Sequence, residues 1–344
     1  MTKSRWLYRT FLVAASLCAS PMLANRTLAQ LPVGAEPAVL LSSDHWPRQT
    51  YTGLEGWLRY SYIIQTDGSI GHLLIEDSHA DRGVQRSLLR RISRAQYQPA
   101  TWIGLPVEQG EWSEAFASLD RGVTARFIDE YESIQARIRG GDLQGAEADL
   151  RRLDRPSRSL NEFTLISLLR ADLEFARNRP DEAAFYLGRV SGMLGSRFLE
   201  PSQHYEVLGS LFSAQASAGL LGQALQTYSA IRAHRLYRPG PIDTAAMRLM
   251  GVVAGSENLS ARAVIQDRAG RRESFWDFVL VRRSFAFSEL NGTFDRFELR
   301  CNLKHVVDEV VEGRRWQLLD AWGGCRLYVF GEAGSSLRLL LYAE

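Results

Sequence analysis

The sequence predicts an α+β protein of several domains, because its residue pattern changes twice along the chain. Residues 30–120 combine short alternating segments with one helix, residues 121–256 follow a helical period, and residues 257–344 return to short alternating segments. Residues 1–29 have the composition of a targeting segment. We therefore expect a multidomain chain with a small ββαβ domain, an α-helical repeat domain and a C-terminal antiparallel β-sandwich-like domain.

The first domain is predicted from two strands that are joined by a tight turn. Residues 56–64 are rich in alternating aromatic and β-branched side chains, which favours a strand with one buried face. The Asp67-Gly68 pair follows, and its glycine supplies the positive φ that a hairpin turn needs. Residues 70–77 are expected to form the second strand.

A helix follows these two strands. Val84, Leu88, Ile92 and Ala95 recur at helical spacing and predict one apolar helix face. Pro99 is expected to end this helix, because proline lacks an N–H and disfavours the helical conformation in the residue before it.

The order of these elements resembles the TonB C-terminal domain. The resemblance includes the glycine-led first strand, a second strand that ends in a Glu76-Asp77-Ser78 loop, and an aromatic-x-Pro-Ala ending at residues 97–100. It covers residues 46–119, which is under a quarter of the chain. Members of that family bind outer-membrane transporters by pairing an exposed strand with a short peptide of the receptor.

The resemblance implies that a third strand, within residues 107–119, is the edge that binds a protein partner of the bacterial envelope, such as an outer-membrane receptor. We expect Val107, Trp112 and Phe116 on this edge, since Trp112 and Phe116 are at strand-compatible spacing.

A row of arginines is the second candidate contact surface. Arg86, Arg90 and Arg94 recur every four residues, opposite the apolar face of the predicted helix. They would suit an anionic surface, such as acidic lipid headgroups, peptidoglycan or an acidic partner protein. The alternative is an ordinary solvated helix face, because arginine also favours helices.

The N-terminal segment has the layout of a secretory signal peptide. Lys3, Arg5 and Arg9 precede an apolar run over residues 11–24, and residues 27–29 offer a small-residue cleavage site. The apolar run is shorter than the ~20 residues that span a bilayer. We expect export to the periplasm, with an uncleaved inner-membrane anchor as the alternative.

The charge of the chain argues against nucleic acid as its main partner. The formal net charge is +2, but residues 1–29 carry four cations and no acid. A chain that begins at Gln30 would therefore carry −2. This near-neutral balance lacks the excess of positive charge that is typical of proteins that bind phosphate backbones.

The central region contains three similar turn segments, residues 141–146, 178–183 and 219–224, each between two amphipathic runs. Each segment begins with Gly or Asn, which caps the preceding helix, and ends with an alanine that lets two helices approach closely. The intervals of 37 and 41 residues are near the tetratricopeptide period of 34, so the region resembles degenerate tetratricopeptide repeats. An irregular helical bundle is the alternative.

Two cysteines belong to the C-terminal domain, where five alternating segments predict strands. Removal of a signal peptide takes away Cys18 and leaves Cys301 and Cys325. In an oxidising periplasm we expect these two to form a disulfide, with two buried free thiols as the alternative.

The sequence contains no recognisable catalytic constellation, phosphate-binding loop or dinucleotide fingerprint. Its six histidines are scattered without metal-ligand spacing. We therefore expect neither an enzyme nor a cofactor, but a periplasmic protein that binds partners by strand pairing, with a link to outer-membrane transport. The alternative is an inner-membrane-anchored energy transducer of the TonB type, which the absence of a long proline-rich linker opposes.

Overall fold

We describe the chain from a computed structural model that covers residues 31–41, 55–117, 122–154, 159–268 and 271–343. The predicted signal peptide lies outside these residues. Within them, helices and antiparallel sheets follow one another in the predicted order, which confirms the α+β class.

The N-terminal unit is built around one antiparallel sheet. Its elements are β1 (Ala35–Glu36), β2 (Val39–Leu40), β3 (Gly56–Ile64), β4 (Ile70–Ala80), α1 (Arg82–Ile92), β5 (Tyr97–Gln98), β6 (Ala100–Trp102), β7 (Leu105–Val107) and β8 (Gln109–Ala117). The main sheet has the order β4-β3-β8, while β1-β6-β7 and β2-β5 form two small sheets.

Helix α1 covers one face of the main sheet, as the apolar spacing predicts. Val84, Leu88 and Ile92 are buried against Leu58 and Tyr60 of β3. The helix begins after Asp81, whose carboxylate accepts hydrogen bonds from the first free N–H groups of the helix.

The predicted hairpin turn between β3 and β4 is confirmed. Gly68 adopts a φ of 80°. A Cβ at this position would lie 1.9 Å from the carbonyl oxygen of Tyr97, so that only glycine fits.

Two predictions about this unit are wrong. Glu76, Asp77 and Ser78 do not form a loop, because β4 continues to Ala80 and pairs with the whole length of β3. Helix α1 ends at Ile92 and not near Pro99. The N–H groups of Arg94 and Ala95 bond to carbonyls three residues earlier, which makes a tighter turn, and the chain then enters β5.

The central region is helical, as predicted. Its helices are α2 (Ala125–Arg139), α3 (Leu143–Leu153), α4 (Leu160–Ala176), α5 (Pro180–Val190), α6 (Met193–Phe198), α7 (Pro201–Ser217), α8 (Leu221–Ala233) and α9 (Pro241–Gly255). The three predicted turn segments join α2 to α3, α4 to α5 and α7 to α8. Gly141, Asn178 and Gly219 all adopt a positive φ at these turns, and the alanine of each segment is fully buried.

The C-terminal region is a sandwich of two four-stranded antiparallel sheets. Its strands are β9 (Asn258–Val264), β10 (Phe275–Val279), β11 (Ser284–Asn291), β12 (Phe294–Cys301), β13 (His305–Asp308), β14 (Arg315–Gln317), β15 (Cys325–Gly331) and β16 (Ser336–Tyr342). The two sheets have the orders β10-β15-β12-β13 and β14-β11-β16-β9, and they share one apolar core. The predicted sandwich-like architecture is therefore confirmed.

The predicted disulfide is also confirmed. Cys301 and Cys325 lie opposite each other on β12 and β15 and are bonded across the two strands. A disulfide is compatible with an oxidising compartment. In the part of the chain that the structure describes, no helix is both long enough and apolar enough to cross a membrane.

The disulfide should stabilise the sandwich by restricting the unfolded chain. We expect a Cys301→Ser, Cys325→Ser double variant to lose about 3 kcal/mol of unfolding free energy, as measured by denaturant titration. Mass spectrometry of the unreduced wild-type protein provides the independent check. Two freely alkylated thiols in protein that was freshly purified without reductant would contradict the bond.

Candidate functional site

Strand β8 lies at the edge of the main sheet. All nine of its residues pair with β3, and no other strand of the described chain pairs with its opposite side. The N–H of Gln65, directly after β3, bonds to the carbonyl of Ser69, directly before β4. Bond directions alternate along a strand, so the N–H and C=O groups of the odd-numbered β3 residues point toward β4 and those of the even-numbered residues point toward β8. The even-numbered β3 residues pair with odd-numbered residues of β8. It follows that the N–H and C=O groups of Trp112, Glu114 and Phe116 point away from β3, toward the open edge.

Trp112 and Phe116 therefore lie on the edge strand, but Val107 does not. Val107 ends the separate strand β7 and pairs with Ala100 of β6. The prediction that Val107 shares this edge is corrected, because a two-residue turn at Ile103 and Gly104 folds residues 100–107 into their own hairpin.

The side chains of β8 hold the strand against the rest of the molecule. The indole Nε1–H of Trp112 donates a 2.7 Å hydrogen bond to the hydroxyl of Tyr328 in β15. The Glu114 carboxylate forms a 2.8 Å ion pair with Arg59 and accepts a 2.7 Å hydrogen bond from the backbone N–H of Met193 in α6. Side chains thus anchor the strand. The backbone groups on its outer edge do not pair with any of the described strands.

A β-bulge in β4 directs two carboxylates to the same face of the sheet. Arg59 pairs with Asp77 and Tyr60 pairs with Ile75, so Glu76 is the extra residue. Glu76 and Asp77 consequently both face away from α1 and toward the helical region and the sandwich, and both are buried.

Asp77 binds the helical region. Arg189 of α5 donates two hydrogen bonds to its carboxylate, of 2.8 and 3.0 Å, while the side chain of Asp77 is only 2% exposed. Burial alone would raise the pKa of Asp77, but the adjacent Arg189 guanidinium outweighs it and lowers the pKa below its usual range. The pair is therefore charged and largely shielded from solvent.

Glu76 binds the sandwich. The Tyr328 hydroxyl donates a short hydrogen bond to its carboxylate, and Arg326 lies 3.6 Å from the second carboxylate oxygen. Burial and the nearby Glu76 charge raise the pKa of Tyr328, so the hydroxyl remains a protonated donor. Trp112, Tyr328 and Glu76 thereby form a continuous hydrogen-bonded chain from β8 through β15 to β4.

A second buried polar chain lies beside the first. Arg300 of β12 donates a 2.9 Å hydrogen bond to Ser61 of β3 and forms a 2.8 Å ion pair with Glu298. Burial would raise the pKa of Glu298, but hydrogen bonds from His305 and Arg300 outweigh it and lower the pKa to about 2.

The three arginines of the predicted cationic row are exposed. Arg86 and Arg90 lie on the solvent face of α1, and Arg94 lies just beyond its end. No carboxylate of the described residues forms an ion pair with any of them. Their contact with an anionic surface stays a prediction.

In the described ranges, no group of three or more His, Cys, Asp or Glu side chains is placed to hold a metal ion. The buried carboxylates have arginine or tyrosine partners within the protein, which fits a structural role at the junction of the three units.

No protein-family model matches this chain, and no curated protein matches it at a significant level. The resemblance to the TonB C-terminal domain therefore stays a prediction.

Sequence reasoning missed the residues that connect the polar face of the main sheet to the helical region and the sandwich, namely Glu76, Tyr328, Arg189 and Arg300. One signal was present, because Glu76 and Asp77 directly follow the apolar run Leu73-Leu74-Ile75. A buried strand carries carboxylates only where partners from other elements meet them.

Removal of one member of a buried ion pair should be costly. We expect Asp77→Ala to lower the free energy of unfolding by about 3–5 kcal/mol, because Arg189 would stay buried without a partner. Arg151→Ala breaks an exposed pair with Glu147 and should cost under about 1 kcal/mol. Denaturant titration of the two variants provides the comparison, and equal losses would contradict the proposed role of Asp77.

The same pair predicts a pH dependence. Folding lowers the pKa of Asp77, so the unfolded chain binds the proton first as the pH falls. The ion pair therefore stabilises the folded state above about pH 4, and this stabilisation is lost below that pH. An Asp77→Asn variant should lack this part of the acid dependence in thermal unfolding measured between neutral pH and pH 3.

Proposed function

We propose that this protein is a non-enzymatic interaction protein of the bacterial envelope that binds an extended segment of a partner protein along β8. The observation that carries the proposal is the outer edge of β8, where the N–H and C=O groups of Trp112, Glu114 and Phe116 lie outside the pairing with β3. An extended peptide can add to such an edge as a further strand.

The contacts that hold β8 in place favour the binding of a peptide strand. Trp112 is fixed by Tyr328, and Glu114 is fixed by Arg59 and by the start of α6. A strand that is already ordered loses little conformational entropy when a peptide binds, so more of the hydrogen-bond energy is available for affinity.

The periplasm is the proposed compartment. The disulfide between Cys301 and Cys325 is compatible with an oxidising environment. The signal-peptide layout of residues 1–29 supports the same compartment. Pairing with outer-membrane receptors, which the family resemblance implies, would take place there.

Selection of short extended peptides against the purified chain tests the binding edge. We expect bound peptides to protect the amides of Trp112, Glu114 and Phe116 from hydrogen exchange. Phe116→Pro removes one outward N–H and should weaken binding about tenfold, which corresponds to the loss of one hydrogen bond of about 1.4 kcal/mol.

Ala115→Pro is the matched control, because the N–H of Ala115 points toward β3 and its loss should destabilise the fold itself. Peptides that bind without protecting the three amides, and with equal affinity for Phe116→Pro, would show that β8 is not the binding edge.

N-terminal sequencing after cell fractionation tests the compartment. We expect a mature N-terminus at Gln30 in the periplasmic fraction, since residues 1–29 resemble a cleavable signal. A membrane-bound form that keeps Met1 would instead support the anchored energy transducer.

A further inference from the structure

Strand β9 is a second open edge, in a different unit from β8. All seven of its residues pair with β16, and β9 ends the strand order β14-β11-β16-β9. Of the described strands, β16 is the one that pairs with β9, and two residues beyond the end of β9 Gln266 forms a single bridge to Phe275 of β10. Residues Asn258, Ser260 and Arg262 are exposed, whereas Leu259 and Ala261 contribute to the sandwich core.

The hydrogen bonds that flank β9 fix the direction of its backbone groups. The carbonyl of Glu257 accepts a 2.9 Å bond from Ala343, and the N–H of Ile265 donates a 2.8 Å bond to Ser335. Both bonds continue the pairing with β16, so the odd-numbered residues bond to β16. The N–H and C=O groups of Ser260 and Arg262 therefore point outward, away from the sheet.

This edge carries few of the devices that normally prevent strand pairing. Edge strands are usually short, bulged, or interrupted by proline or several charges. Strand β9 has seven residues in unbroken register, no proline, and Arg262 as its one charged residue. Its outer edge is thus suited to accept another strand.

We propose that a second copy of this chain pairs with β9 in antiparallel orientation, about a two-fold axis at Ala261. In this register all seven residues of β9 in one copy pair with the seven of the other. The outward N–H and C=O groups of Ser260 in each copy bond to those of Arg262 in the other. Leu259 then lies opposite Ala263, which extends the apolar row of the core across the junction.

The charge pattern favours a second copy as the occupant. In this register the one cation of the strand faces a serine, and the two arginines are not opposite each other. An axis at Arg262 would place the two arginines directly opposite, which is unfavourable. The strand can therefore pair with itself over its full length, in the register centred on Ala261, without opposing like charges.

Helix α9 leads into β9 and leaves Met247 and Met250 61% and 42% exposed. Arg282 bonds to the carbonyl of Val253 in the last turn of α9 and to that of Leu341, which lies opposite Leu259. The end of the helix is thereby held at the beginning of the open edge.

Sedimentation equilibrium of the purified chain, with and without Ser260→Pro, tests the proposal. We expect a concentration-dependent dimer for the wild type and a monomer for the variant. Proline at position 260 removes an outward N–H and leaves the bonds to β16, so the thermal midpoint extrapolated to low concentration should not change.

Charge variants at the same position test the register. In the Ser260→Glu dimer, the glutamate of each copy faces Arg262 of the other, so that two opposite-charge pairs form. Dimerisation should become roughly 2- to 30-fold tighter, whereas Ser260→Lys should weaken it by a similar factor. Phe116→Pro in β8 is the control that separates the two edges, and it should leave the dimer unchanged.

Two results would overturn the proposal. One is a wild-type chain that stays monomeric up to about 100 μM, where self-association with a Kd of that order is readily measured. The other is a dimer that responds to neither Ser260→Pro nor the two charge variants, because such a dimer would use another surface.

Discussion

The main sheet of the N-terminal unit is covered on both faces, and the rest of the structure depends on this constraint. One face packs on α1 through aliphatic and aromatic side chains. The other face carries Arg59, Ser61, Glu76 and Asp77, and these polar groups would be costly to bury without partners. Arginines and a tyrosine of the helical region and the sandwich supply those partners, so three units of separate sequence character are joined at one sheet.

Coverage of both faces leaves the edges of the sheets as the surfaces where backbone groups are available for other chains. The edge at β8 lies at the junction of all three units, which makes it rigid but bounded by intramolecular contacts. The edge at β9 lies on the sandwich, after the end of α9, and its residues can pair with those of a second copy without opposing like charges. The proposed partner binding and the proposed self-association use different strands and can be separated by single substitutions.

Much of the local structure could be predicted because it depends on neighbouring residues. The turn at Gly68 and the helix ends at Gly141 and Asn178 need a positive φ, and the sequence shows such positions directly. The placement of Val107 could not be predicted in this way, since a hairpin and a continuing strand have similar local patterns. The bulge at Glu76 was missed for the same reason, because it depends on the register between two strands.

The sequence by itself determined the α+β class, the apolar face of α1, the helix turns and the two cysteines of the sandwich. These features follow from periodicity, backbone preference and composition, which act over a few residues. Only the tertiary structure decided that Trp112 bonds to Tyr328, that Asp77 bonds to Arg189, and that β8 and β9 lie at sheet edges. Such contacts join residues more than a hundred positions apart or depend on strand order, and neither leaves a mark in the local sequence.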